Sequence, residues 1–464
     1  MRTPKIGVLP LYVELYDHSA PEYRPIVEAH YAHTCDKLRE VGLDVATTSV
    51  CRVETEFQAA VAQFEAEQVD AIVTLHLAYS PSLESQRALA DTKLPLIILD
   101  TTPSYTYDQH TDPGELMINH GIHGVMDMCN LLRRNRKPYV ICAGHMDHSD
   151  VLEQVARAAR AACVVSSLRR ARVGLIGEPF QGMGDFQLPD GELARDLGIT
   201  TVAYDFQDGA RRIAAVSQEA IDREYEKDCA RFQVDPGLRR EVYDETARIS
   251  LALRGWCEEQ RLTALTINFM ATAIDNPGLP RMPFTECSAA MENGIGYAGE
   301  GDVLTAALTG ALLSVYPETT FSEMFCPDWE HDTVFLSHMG EFNYRISQER
   351  PVLKEKEFPF TSAENPTVAY GTLKGGPATF LNFAPMGGGR YGLTLASGEM
   401  LKIQGENTMS DAVNGWFRPH VPLPEFLRRY SQVGATHHSV LVYGVPAEEL
   451  QLISGFLGCD LEVI

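Results

Sequence analysis

Ile6-Gly-Val-Leu-Pro-Leu-Tyr12 is a short apolar run, and Val69-Asp-Ala-Ile-Val-Thr-Leu75 repeats it further along the chain. Between them, Pro21 to Val41 and Val53 to Gln68 carry apolar residues at helical spacing. Leu94-Pro-Leu-Ile-Ile-Leu99 and Tyr139-Val-Ile-Cys142 continue the series. Strands that are apolar at successive positions are covered on both faces, as in parallel sheets. Strand–helix–strand order therefore predicts a parallel sheet with helices on both sides, and ligands approach such sheets at the carboxyl ends of the strands.

The same grammar recurs with Arg172-Val-Gly-Leu-Ile176, Thr200-Thr-Val-Ala-Tyr204 and Leu262-Thr-Ala-Leu-Thr-Ile-Asn-Phe269 as strands, and Ser217 to Phe232 and Pro236 to Glu259 as amphipathic helices. Beyond about residue 318 the texture changes. Thr333-Val-Phe-Leu336, Thr367-Val-Ala-Tyr-Gly371, Ala378-Thr-Phe-Leu-Asn-Phe383, Arg390-Tyr-Gly-Leu-Thr-Leu395, Met400-Leu-Lys-Ile403 and Ser439-Val-Leu-Val-Tyr443 read as short strands broken by glycine-rich turns. The expected fold class is α/β: two parallel-sheet α/β domains, residues 1–170 and 171–318, followed by a mainly antiparallel, β-rich domain, residues 319–464.

Composition sets the functional bounds. The 464 residues exceed one ordinary core at roughly 150 residues per domain. A net charge of −24 argues against a nucleic-acid partner, because phosphate binding draws on a Lys/Arg surplus and the basic clusters at residues 133–137 and 169–172 are short. The ten cysteines include no Cys-x-x-Cys pair, which fits reduced, buried thiols. No apolar run reaches about 18 residues and no signal-peptide pattern follows Met1, so no membrane role and a cytoplasmic location are expected.

Four residues carry the chemistry. Glu300 in Tyr297-Ala-Gly-Glu-Gly-Asp302, Glu323 in Phe321-Ser-Glu-Met324, His338 in Leu336-Ser-His-Met339 and His438 in Thr436-His-His-Ser439 are two carboxylates and two imidazoles. Such a set holds one divalent cation and leaves positions open for substrate. The flanking glycines free the backbone at Glu300. His437 and His438 precede a strand, where neighbouring side chains point to opposite faces, so at most one is expected in a given site. The pair His145 and His148 has workable spacing but no evident third ligand.

Gly296-Tyr-Ala-Gly-Glu-Gly-Asp302 with Thr305-Ala-Ala307, then Thr320-Phe-Ser-Glu323, Ser337-His-Met339 and Gly434-Ala-Thr-His-His438, resembles the bacterial L-arabinose isomerases and, more loosely, the arabinose/fucose isomerase group. The order and rough spacing persist from Tyr12 to His438. The resemblance implies Mn²⁺ held at Glu300, Glu323, His338 and His438, with His437 a structural neighbour and the two glutamates as catalytic acid and base. It also implies a small-molecule sugar substrate, interconversion of an aldose with its 2-ketose, and a trimer-based homo-oligomer, often a hexamer, with active sites between subunits. Leu11 and Tyr12, Thr266 and Phe269 match positions that line the sugar site, and His123 matches a histidine contributed by a neighbouring subunit.

The departures point away from the family's usual sugar. Leu9-Pro10 stands where the arabinose enzymes have Gln-His, His120 where they carry a second Gln, and the segment from Gly177 to Asp185 differs from its counterpart. Discrimination among polyols rests on such hydrogen-bond partners. A metal-dependent epimerase or lyase using the same enediolate is the nearest alternative. A non-catalytic sugar-binding protein is the more distant one, since binding alone does not require the four ligands to converge.

Overall fold

The computed structural model describes residues 2–189 and 191–464. It divides into two compact units, residues 2–166 with 448–458, and residues 167–447 with 459–464. In the first unit, β1 (Lys5–Leu11), β2 (Asp44–Thr47), β3 (Ala71–His76), β4 (Leu96–Asp100) and β5 (Val140–Ala143) form an all-parallel sheet in the order β2-β1-β3-β4-β5. Its core packs Leu9, Leu11, Ile72 and Ile98 against Phe57, Phe64, Val125 and Leu132 from the covering helices. Each such side chain contributes about 1.5–3 kcal/mol by leaving water. Arg160 clamps Glu449 with two hydrogen bonds of 2.7 and 2.8 Å, which ties residues 448–458 to this unit.

The second unit contains another parallel sheet, built from β6 (Arg172–Ile176), β7 (Thr200–Ala203), β9 (Ala264–Ile267) and β10 (Gly296–Gly299) in the order β10-β9-β6-β7. The two-residue β8 (Gln233–Val234) belongs instead to a small sheet with β13 (Val352–Glu355) and β14 (Thr367–Tyr370).

Beyond residue 318 an antiparallel barrel forms from β11 (Thr319–Asp328), β12 (Thr333–Ser337), β15 (Gly376–Gly387), β16 (Arg390–Met400), β17 (Gly415–Pro419) and β18 (His438–Tyr443). The order is β15-β18-β11-β12-β17-β16, and pairing of β15 with β16 closes it. The short β19 (Asp460–Val463) adds in parallel to β16. Closure removes exposed strand edges. The architecture is therefore two parallel α/β layers followed by a C-terminal antiparallel β barrel. One expected strand differs: Met400 ends β16, and Leu401 to Ile403 are irregular, so Met400-Leu-Lys-Ile403 is not an element of its own.

Candidate metal centre

The last strand of the second sheet delivers Glu300. β10 ends at Gly299, and Glu300 occupies a left-handed turn with φ of 64° before Gly301 at 86°. A left-handed non-glycine residue is strained and persists only where its surroundings hold it. Here Glu300 N–H donates to Ile267 O (2.8 Å), Gly301 N–H donates to Thr266 Oγ1 (3.0 Å), and that hydroxyl donates to Gly299 O (3.2 Å). Both flanking glycines are also sterically required. A Cβ on Gly299 would lie 2.6 Å from the His338 ring, and one on Gly301 2.6 Å from Pro179 Cα.

The barrel register supplies the other three residues. Glu323 in β11 is paired across one side with His438, the first residue of β18, and across the other with Ser337, the last residue of β12. His338 follows immediately, just past the strand end, where its side chain is released from strand alternation. Single ligand atoms of Glu323, His338 and His438 lie within 4.8 Å of one another, as do those of Glu300, His437 and His438. The four residues singled out in the sequence thus fall in two overlapping triplets that meet at His438.

Each imidazole is oriented by a carboxylate at Nδ1. His438 Nδ1 donates to Asp302 Oδ2 (3.0 Å), His338 Nδ1 to Glu341 Oε2 (2.9 Å), and His437 Nδ1 to Asp185 Oδ2 (2.7 Å). Tyr297 OH donates to the second oxygen of Glu341 (2.6 Å). His438 Nε2 is buried without a hydrogen-bond partner. A carboxylate on one ring nitrogen, with the other directed into a shared point, is the arrangement of metal-ligating histidines. The donor set of two carboxylates and two oriented imidazoles fits a divalent cation.

Electrostatics agree with this reading. Burial alone would raise the Glu300 carboxyl, but His437, His438 and His338 hold it at about 2. Burial alone would lower His438, yet Asp302 and Glu300 raise it to about 9; Asp185 and Glu300 raise His437 to about 10. The field that keeps protons on these rings also attracts a cation. Glu341 sits below the ordinary carboxylate range despite complete burial, held there by His338 and Tyr297.

The expectation that only one of the adjacent histidines reaches the site meets a geometric exception. β18 starts at His438, so His437 lies outside strand alternation and its Nε2 stands 3.7 Å from Glu300 Oε2, beside His438 Nε2 at 3.4 Å. Asp302, Glu341 and Asp185 were not singled out from the sequence. Asp302 also caps the helix Val303–Leu313, its Oδ1 accepting from Thr305 N–H (2.9 Å). The available signals were the Glu300-Gly-Asp302 adjacency and the three-residue spacing from His338 to Glu341.

The remaining candidates fall in two places. In the second unit, the Thr266 hydroxyl is engaged in shaping the Glu300 turn, and Phe269 joins an aromatic group with Phe180 (5.6 Å between centroids), Phe358 (6.4 Å) and Phe360 (5.8 Å). In the first unit, Leu11 is fully buried in the core, and Tyr12 is buried with its hydroxyl unpartnered. Tyr12 meets Tyr16 edge-on (5.9 Å), Tyr16 OH lies 3.0 Å from His120 Nε2, and His123 stacks on Tyr79 (4.7 Å). These residues form one chain of rings beyond the carboxyl ends of β1 and β3.

An acid–imidazole cluster framed by a parallel α/β sheet and a closed barrel is an arrangement suited to an enzyme site. Residues 191–316 match the L-arabinose isomerase central domain and residues 318–460 the L-arabinose isomerase C-terminal domain, together more than half of the chain. The L-arabinose isomerase of Acidothermus cellulolyticus is 24% identical over 398 residues, covering 83% of this chain and 78% of that protein. That of Thermotoga maritima is 24% identical over 395 residues (82% and 77%), and L-arabinose isomerase 1 of Bacillus licheniformis 24% over 440 residues (91% and 87%). The chain belongs to the L-arabinose isomerase family, and by that membership it is an aldose–ketose isomerase, an intramolecular oxidoreductase.

Proposed function

We propose that this chain is a metal-dependent aldose–ketose isomerase of a sugar or modified sugar, with Glu300, Glu323, His338 and His438 holding a divalent cation, Mn²⁺ by family resemblance. The observation that carries the reading is that these four residues fall in two overlapping groups joined at His438, with both proposed ligand imidazoles oriented by buried carboxylates. A bound divalent cation supplies Lewis-acid stabilisation of the negative charge that develops on neighbouring sugar oxygens.

The protein's own groups supply the rest. Glu300 is kept ionised by the surrounding imidazoles, as a cation ligand must be, and is the carboxylate assigned to take the proton. Glu323 stands within reach of the same His438 and serves as its partner carboxylate, so that a proton leaves C2 and is returned at C1; direct hydride transfer between these carbons uses the same residues for binding and orientation. The rings of Phe180, Phe269, Phe358 and Phe360 form an apolar surface suited to the C–H face of a sugar and to excluding water.

The resemblance further supports a trimer-based homo-oligomer in which His123 of one subunit serves the sugar held by another, with Leu11, Tyr12 and His120 as further sugar-site residues. His120 in place of the family glutamine favours a sugar other than L-arabinose. A cytoplasmic location is consistent with ten free cysteines and with the lack, among the described residues, of a helix long and apolar enough to cross a membrane.

The decisive experiment is a turnover screen of Mn²⁺-loaded protein against pentoses, hexoses, deoxysugars and sugar acids, with Glu300→Gln and His438→Ala as controls. Ketose formation is expected for at least one aldose, falling about 10²–10⁴-fold in Glu300→Gln. Absence of turnover, together with unchanged metal content in both variants, would sink the reading.

A further inference from the structure

The segment from Gly177 to Asp185, read from the sequence as departing from the family pattern, touches the centre repeatedly, as does Phe186 after it. Phe180 N–H donates to Glu300 O (2.9 Å), and Phe186 stacks on His438 with centroids 5.2 Å apart and planes 13° from parallel. Asp185 makes the most specific contact, because its Oδ2 accepts both the His437 backbone N–H (2.9 Å) and the His437 ring Nδ1–H (2.7 Å). Two donors on one oxygen fix the position of the residue and the plane of its ring together. The opposite ring nitrogen then faces Glu300 Oε2 at 3.7 Å, while His438 Nε2, fixed in turn by Asp302, faces the same oxygen at 3.4 Å. Glu300 is thereby flanked by two imidazoles, each held by its own aspartate.

We infer that Asp185 is a positioning residue for the metal centre: it holds His437 so that this ring aligns the Glu300 carboxylate for a divalent cation, without His437 being a ligand. The inference rests on the metal-site reading above. It assigns a purpose to the segment in which this chain differs from its family. It also separates the adjacent histidines by role, His438 binding the cation and His437 steering a residue that binds it.

The test is Mn²⁺ binding to metal-free protein, read as free and bound Mn²⁺ by electron paramagnetic resonance, with no sugar present. Asp185→Ala should raise the Mn²⁺ dissociation constant about tenfold, the lower end for an outer-shell partner because Asp185 is partly exposed. The spectrum of bound Mn²⁺ should change as the Glu300 carboxylate shifts. In a His437→Ala background the same substitution should cost less than twofold, because Asp185 acts only through that ring. A tenfold loss persisting in that background, an unchanged constant in Asp185→Ala, or a His437→Ala variant as defective as His438→Ala would each overturn the inference. Urea unfolding checks that the variants are folded, and Asp185→Asn takes the place of the alanine variant in the cycle if that one is not. Should Glu300→Gln and His438→Ala bind Mn²⁺ normally, the metal reading itself fails; should they lose it while the Asp185 cycle shows no coupling, only this inference does.

Discussion

Two polar centres in the second unit bury carboxylates, and they do so in opposite ways. In the helical layer, Arg254 donates to both oxygens of Glu286 (3.1 and 2.7 Å) and to Glu224 (2.8 Å), while Tyr243 OH donates to Asp228 (2.8 Å) around an enclosed cavity of about 20 Å³. There the guanidinium and the carboxylates satisfy each other directly. Around Glu300 the pattern is reversed: Asp302, Glu341 and Asp185 occupy the far side of each imidazole, and the near-side nitrogens face Glu300 or Glu323 in two groups that meet at His438. Buried charge alone therefore does not distinguish a site from a scaffold. The difference is whether the polar groups close on one another or are held apart, facing inward.

The comparison breaks first at Arg254. Replacement by Met keeps much of the stem's packing but leaves Glu286, only 5% exposed, without its cation. Breaking a buried pair costs about 3–5 kcal/mol, and the lower end applies because the Arg254 side chain is 32% exposed. Arg254→Met should lose about 3 kcal/mol in urea unfolding while Mn²⁺ affinity stays within twofold. A variant that keeps its stability, or loses metal in proportion, would show that the two centres are not functionally distinct.

The mirror experiment is Glu341→Gln. It removes the carboxylate from His338 Nδ1 and from Tyr297 OH without emptying the space. Loss of an outer-shell carboxylate weakens metal binding by about 10- to 100-fold. Titration of metal-free protein with Mn²⁺ should show a loss in that range, with a change in unfolding midpoint smaller than that of Arg254→Met. Equal effects on stability and metal would place Glu341 among the scaffold residues.

This contrast explains which parts of the molecule were legible in the sequence. The buried strands β1, β3, β4 and β6 announce themselves as runs of Val, Ile and Leu, because a strand covered on both faces has no polar face to show. β10 and β11 do not. Gly296-Tyr-Ala-Gly299 lacks β-branched residues, and Thr319 to Asp328 sets Phe321, Met324 and Phe325 among Thr, Ser, Glu, Pro and Asp with no apolar run, since that strand carries a proposed ligand on its way around the barrel. The four proposed ligand residues were visible because their order resembles a known family. Their orienting carboxylates were not, because Glu341 in Gly340-Glu-Phe342 looks like any loop acid until the register of β11, β12 and β18 brings His338 and His438 beside Glu323.

The smallest expected effect separates the centres by pH. Burial raises the Asp228 carboxyl to about 6, the Tyr243 hydrogen bond notwithstanding. An unfolded Asp titrates near about 3.9, so between that value and about 6 the folded chain binds a proton that the unfolded chain has released. The stability this proton contributes is complete below the unfolded value and is lost as pH rises through the folded one. Asn at position 228 stays neutral at every pH and still accepts from Tyr243 through its carbonyl oxygen. Asp228→Asn should therefore match the parent near pH 4 and become more stable than it by about 1–2 kcal/mol above pH 7, in unfolding series at fixed ionic strength. A gap independent of pH would mean that Asp228 is ionised in the fold throughout the pH range.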